Sequence, residues 1–143
     1  MNTRIIVCPI IRNPDDEYLI CKMPKNRGVF PGKWGLPGGG IEPGERMFDA
    51  IKREITEELG SKLDIVEIKP WSFRDDIRKK VYPDDTSVDV YMIYLIFDCL
   101  VKNKDIDLNE EFETYAWVKP DQLINYELNE ATQITFRDKG LIP

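Results

Sequence analysis

Residues Gly38 to Ser61 read GGGIEPGERMFDAIKREITEELGS, and that stretch decides how the rest of the chain is read. Three glycines lead into a segment whose Phe48, Ile51, Ile55 and Leu59 fall in one stripe at about 100° per residue. The spacing predicts a helix over Glu45 to Leu59 that docks on a sheet, with Gly60 at its left-handed C-terminal position. Beside the apolar stripe lies an arc of Glu54, Glu57 and Glu58. Like charges three and four residues apart each cost about 0.2–0.5 kcal/mol in an exposed helix. Glu57 and Glu58 also face the negative end of the helix dipole, where cations are preferred. Only Arg53, one turn before Glu57, and Lys62, beyond Gly60, offer compensation. Local rules broken twice in one turn point to a function, here a divalent cation shared by the carboxylates. A solvated acidic face is the plain alternative.

Composition narrows the chemistry. The 143 residues are 42% hydrophobic and 32% charged, which suits one globular domain spanning 1–143. There is no histidine, so imidazole metal sites and Ser-His or Cys-His mechanisms are excluded. Cys8, Cys21 and Cys99 have no CxxC spacing and read as buried apolar residues. Any metal is therefore held by oxygen, which favours Mg²⁺ or Mn²⁺. A net charge of −6 argues against a general nucleic-acid binder. No signal segment or long apolar span is visible, so a cytoplasmic protein without a membrane partner is expected. The first forty residues are nevertheless basic: Arg4, Arg12, Lys22, Lys25, Arg27 and Lys33 outnumber Asp15, Asp16 and Glu17. A basic segment beside an acidic helix suits a small anion bridged by a cation; scattered surface charge explains it equally well.

Along the chain, RIIVCPII (Arg4–Ile11) and EYLICKM (Glu17–Met23) flank the turn signal NPDD and read as a hairpin. A loop follows, then a short strand at Trp34–Leu36 and the glycines. Asp64–Phe73 reads as a strand, with the polar IRKKVYPDDTS as a hairpin connection. Val88–Val101 reads as a central strand and Thr114–Val118 as another. Lys119–Leu123 opens a short helix with Pro120 in its first turn, and Asn129 caps a last helix ending before Gly140. The class is α/β, a mixed sheet with helices packed against it. The glycines Gly38, Gly39 and Gly40, set between strand and helix, are suited to bring backbone close to phosphate oxygens.

Joined to the helix, these glycines form a longer pattern. Gly39, Glu45, Arg53-Glu54-Ile55, Glu57-Glu58 and Gly60 stand at the spacing of the Nudix box, which this stretch resembles; only its final aliphatic position differs, being Ser61. The resemblance continues through RGVFPGKWGLPGGGIEPGE, YMIYLIFDC and NEEFETYAWVKP, and within the family it is to NudI-type nucleoside triphosphatases that favour pyrimidine deoxynucleoside triphosphates. It implies a Nudix-type α/β/α sandwich and Mg²⁺-dependent attack of water on a nucleotide phosphorus. It further implies that Glu57 and Glu58 ligate metal, that Glu54 is ligand or base, and that Glu45 and Arg53 pair to orient the site. At i,i+4, Arg53 could orient Glu57 instead, so the two pairings compete. Among the acidic residues of NEEFETYAW, Glu110, Glu111 and Glu113, Glu111 is the favoured further ligand. Phe30, Trp34, Trp71 and Phe73 are stacking candidates for the base; Arg27 and Lys33 are candidates for the phosphates. Monomer and homodimer stay open. A mannosyl hydrolase acting on GDP-mannose shares the FPG-type loop but uses a histidine base, and a non-catalytic nucleotide-sensing module would tend to lose box glutamates. Neither matches this chain as well.

Overall fold

The computed structural model describes residues 1–143. Strands β1 (Asn2–Arg12) and β2 (Tyr18–Lys22) form the expected hairpin. Asn13 Oδ1 closes its turn by accepting from the backbone of Asp15 at 2.9 Å and Glu17 at 3.1 Å. Two short strands, β3 (Trp34–Gly35) and β4 (Gly39–Gly40), precede helix α1 (Met47–Leu59). Strands β5 (Ile65–Val81) and β6 (Ser87–Val101) form a long antiparallel pair. Strand β7 (Thr114–Val118), a 3₁₀ helix (Pro120–Asn125) and helix α2 (Glu130–Asp138) follow.

The sheet is mixed, as expected: β1 runs parallel to β6, while its other side is shared by β4 and β2, both antiparallel to it. Strand alternation divides the core between two faces. Val7, Ile11, Leu19, Cys21, Phe97 and Cys99 meet Ala50, Ile51, Ile55 and Leu59 of α1. Ile6, Ile10, Ile20, Met92 and Ile96 form the opposite cluster with Ala131 and Phe136 of α2. A helix therefore covers each face, giving the α/β/α arrangement.

Three expectations are corrected. Strand β5 continues to Val81, well beyond Phe73, and only Tyr82–Thr86 turns the chain. Its polar RDDIRKK tail is still a strand because it lies at the sheet edge, where side chains alternate between solvent and a cleft rather than entering the core. Helix α1 starts two residues later than its pattern suggested, because Glu45 is drawn out of the helix to bind Arg53. Gly39 and Gly40, read as loop, form a ladder with Val7 and Ile6. The predicted cap holds: Asn129 Oδ1 accepts from Thr132 N at 2.7 Å. Asn129→Ala should lower unfolding free energy by about 0.5–2 kcal/mol with an unchanged denaturant slope, measured by urea titration.

Candidate active site

The site is built from the last two turns of α1 and the strand that faces them. Arg53 sends Nε to Glu45 Oε2 at 2.7 Å and Nη2 to Glu45 Oε1 at 2.8 Å, a two-pronged ion pair. Its Nη1 donates to Glu54 Oε1 at 2.8 Å and Glu57 Oε2 at 3.2 Å, and Nη2 also donates to the Gly40 carbonyl at 3.0 Å. The pairings with Glu45 and Glu57 therefore do not compete; different nitrogens of one guanidinium make both. Glu45 is held far down, to about 2, first by these hydrogen bonds from Arg53 and next by that from the Glu42 backbone.

The glutamate arc is not the solvated face its charge suggested. Glu54 and Glu58 are 8% and 4% exposed, and only Glu57 reaches well into solvent. Glycine makes that burial possible: a Cβ on Gly39 would lie 2.5 Å from the Glu54 carboxylate, and Gly38, at φ 138°, donates its N–H to Glu58 Oε1 at 2.8 Å. Burial raises the pKa of Glu54, opposed by the hydrogen bond from Arg53. Burial also pushes Glu58 to about 9; the Gly38 N–H opposes this, while the charges of Glu54, Glu111 and Glu57 add to it. Glu58, unlike Glu54 with its Arg53 partner, has no positive charge beside it.

These carboxylates line one end of a cleft of about 600 Å³, and Glu111 reaches it from the loop before β7. Of the three acidic residues in that loop, Glu110 lends its carbonyl to Arg27 and Glu113 faces Lys22 at 4.0 Å; neither lines the cleft. An oxygen-liganded divalent cation fits the donors present, since the buried Glu58, without a countercharge, shares one cavity with Glu54, Glu57 and Glu111. No three of the acidic side chains are grouped closely enough to enclose an ion by themselves. Such an open set suits Mg²⁺, which keeps waters and takes substrate oxygens as ligands.

The NUDIX domain family matches residues 1–139. The nucleoside triphosphatases NudI of Escherichia coli O81 (strain ED1a) and of Escherichia coli O1:K1 / APEC are each 58% identical to this chain over 142 residues, covering 99% of it and 100% of the relative. The chain belongs to the Nudix family. Solved structures agree. A MutT protein from Methanosarcina mazei Go1 aligns over 96% of this chain and 92% of its own, with a TM-score of 0.67 and 26% identity. The NUDIX domain of Shewanella oneidensis NrtR, complexed with ADP ribose, shares the fold at a TM-score of 0.75 and 13% identity, over 97% of this chain and 87% of its own.

In this Nudix chain the remaining candidates separate sharply. Arg27 and Phe30 line the cleft, and the Phe30 ring carries the Arg78 guanidinium 5.2 Å from its centroid. Lys33 does not reach the cleft; it is held outside by Glu127, which corrects its assignment to phosphate. Trp34 packs edge-on to Tyr126 at 5.1 Å, Trp71 lies under Lys139 Nζ at 4.5 Å, and Phe73 is exposed, so none of the three is available there for stacking. Arg4, from the basic first forty residues, also lines the cleft, and several cleft residues escaped the sequence reading: Arg74, Lys80, Tyr94, Thr132 and Thr135. Arg74 donates through Nη2 to Ala131 O and Thr135 Oγ1, each at 2.8 Å, while its Nε is buried without a partner. The alternation Arg74, Asp76, Arg78, Lys80 was the available signal, hidden by ending the strand at Phe73 and reading IRKKVYPDDTS as a hairpin connection.

The Glu58 pKa carries a prediction of definite sign. Its folded value, about 9, lies above the ordinary 4.5, so the folded metal-free protein binds a proton that the unfolded chain releases. Metal-free stability should therefore fall as pH rises from about 4.5 to 9. Glu58→Gln should flatten that decline, read from urea midpoints in chelator across the same window. A slope unchanged by the substitution would assign the decline to other groups.

Proposed function

We propose that this chain hydrolyses nucleoside triphosphates, and pyrimidine deoxynucleoside triphosphates (dUTP, dTTP and dCTP) in particular, to the monophosphate and pyrophosphate. Mg²⁺ is the cofactor, with Mn²⁺ as a substitute. The observation that carries the reading is the burial of Glu54 and Glu58 against Gly38–Gly40 at the acidic end of a nucleotide-sized cleft. The NudI name of the 58% identical relatives supports the triphosphatase activity.

In this proposal Glu57, Glu58 and Glu111 would each offer a ligand to the ion, with water and substrate oxygens completing its shell. When bound, Mg²⁺ neutralises charge on the phosphates and makes water easier to deprotonate. Glu54 is the general base. Arg53 ties up its Oε1, which leaves Oε2 to take the proton of the attacking water. Burial raises the Glu54 pKa, which makes its carboxylate a stronger base for taking that proton. Arg53 acts as a positioning residue, since one guanidinium fixes Glu45, Glu54, Glu57 and the Gly40 carbonyl together. Arg4, Arg27 and Lys80 bring positive charge to the cleft for the phosphates. At its α2 end, Phe30 offers a ring for stacking, while Arg74 and Thr132 offer polar groups to a base.

A nucleotide panel hydrolysed with Mg²⁺ in ¹⁸O-labelled water should give pyrimidine deoxynucleoside monophosphate and unlabelled or labelled pyrophosphate, never stepwise inorganic phosphate. Release of inorganic phosphate as first product would overturn the proposed reaction. Excess chelator should abolish turnover, and Ca²⁺, with its longer and looser bonds of about 2.3–2.6 Å, should restore it poorly.

Glu54→Gln separates chemistry from folding. Gln keeps an oxygen for Arg53 and removes two like-charge repulsions, so metal-free stability should stay within about 1 kcal/mol of the parent. Turnover should fall by about 10²–10⁴-fold, the usual contribution of a positioned base. Turnover within about threefold of the parent would remove Glu54 from the mechanism.

A further inference from the structure

We propose that Arg78, which does not line the cleft, is a positioning residue for the base of the nucleotide: it holds the Phe30 ring with one face turned to the cleft, a role that rests on the nucleotide reading of that cleft. Phe30 lines the cleft, and the Arg78 Cζ stands 5.2 Å from its ring centroid. The cation therefore covers the far side of the ring and leaves the near side for a flat ligand. Two other cleft rings carry cations, Tyr94 with Arg74 and Tyr82 with Lys80. In both of those pairs the cation lines the cleft together with its ring. Only Phe30 is backed by a cation from outside.

Arg78 is itself immobilised. Its Nε donates to Asp76 Oδ2 at 2.9 Å and its Nη1 to Glu130 Oε2 at 3.1 Å. The other oxygen of Asp76 accepts from the Tyr94 hydroxyl at 3.1 Å. One planar fork thus ties β5 to the first turn of α2 and, through Asp76, to β6. The ring that rests on this fork belongs to the loop between β2 and β3. Two residues before Phe30, Gly28 exchanges two backbone hydrogen bonds with Val81 of β5, each 2.9 Å. That bridge sets where the loop lies but not how the ring is turned, and Arg78 supplies the second restraint. Stability alone is a weak reason for this network, since the Glu130 side chain is 67% exposed and such pairs contribute little. A ring whose orientation is already fixed, by contrast, loses less freedom when a base stacks on it, and binding gains.

The test separates binding of the base from binding of the phosphates. KM for the nucleoside triphosphate turned over best reports both, and inhibition by inorganic tripolyphosphate in excess Mg²⁺ reports the phosphates alone. Arg78→Met is combined with Asp76→Asn, so that no β5 carboxylate is left beside a missing countercharge. This pair should raise KM by about 3–30-fold, the range that a cation–π contact can transmit. Turnover number and tripolyphosphate inhibition should stay within about twofold of the parent, the pattern of a lost binding contact. Arg78→Lys keeps the charge beside Asp76 and Glu130 but not the planar fork, and should move KM the same way. Phe30→Leu should raise KM by about 5–100-fold. Adding the Arg78 and Asp76 changes to Phe30→Leu should raise it no further, because Arg78 acts through the ring. A KM within about twofold of the parent in both Arg78 variants overturns the proposal. So does full additivity with Phe30→Leu, and so does an equal loss of tripolyphosphate inhibition, which would assign Arg78 to the phosphates. A parent that turns over no nucleoside triphosphate overturns the nucleotide reading itself, and shows this before any substitution is made.

Discussion

The Arg53 guanidinium is the contact on which the site depends. Its donors are shared among the Glu45 carboxylate before α1, Glu54 and Glu57 on α1, and the Gly40 carbonyl on β4. One rigid, permanently charged fork therefore fixes the distance between helix and strand and the orientation of the proposed base. Lysine could supply the charge but not the planar set of donors. The cost of gathering negative groups at the end of a helix is offset locally, though only for those that Arg53 reaches.

Glu58 lies beyond that reach, and the difference defines the chemistry. It has a single backbone donor, from Gly38, and burial raises its pKa to about 9. Folding brings this carboxylate into place without giving it a countercharge. Under the proposed mechanism a bound cation would supply the missing charge. Stability and the proposed function would then pull on this residue in opposite directions, as expected where a site keeps groups that packing alone would reject.

The glycines act at the same point. Gly38–Gly40 suggested a phosphate cradle, but in the folded chain their first task is toward the helix. Gly39 leaves room for Glu54, Gly38 donates to Glu58, and Gly40 accepts from Arg53, while Gly39 and Gly40 pair with β1. The strand before α1 is in effect the other half of the carboxylate site. This explains why glycine and glutamate occur in one motif at fixed spacing.

Much of this was legible in the sequence because it is local or periodic. Helical spacing located α1, β-branched runs located β1 and β6, and the box placed Arg53, Glu54, Glu57 and Glu58 near one another. Residue types in a repeating pattern determined these features, with no need of distant partners. Tertiary structure decided what depends on partners remote in sequence. It buried Glu54 and Glu58 under β4, let one arginine serve both proposed pairings, and tied Lys33 to Glu127 away from the cleft. It also brought Arg74 and Glu111 to the cleft that holds the α1 carboxylates. Charge and spacing are written along the chain, but solvent access and hydrogen-bond partners exist only once the sheet has brought distant segments together.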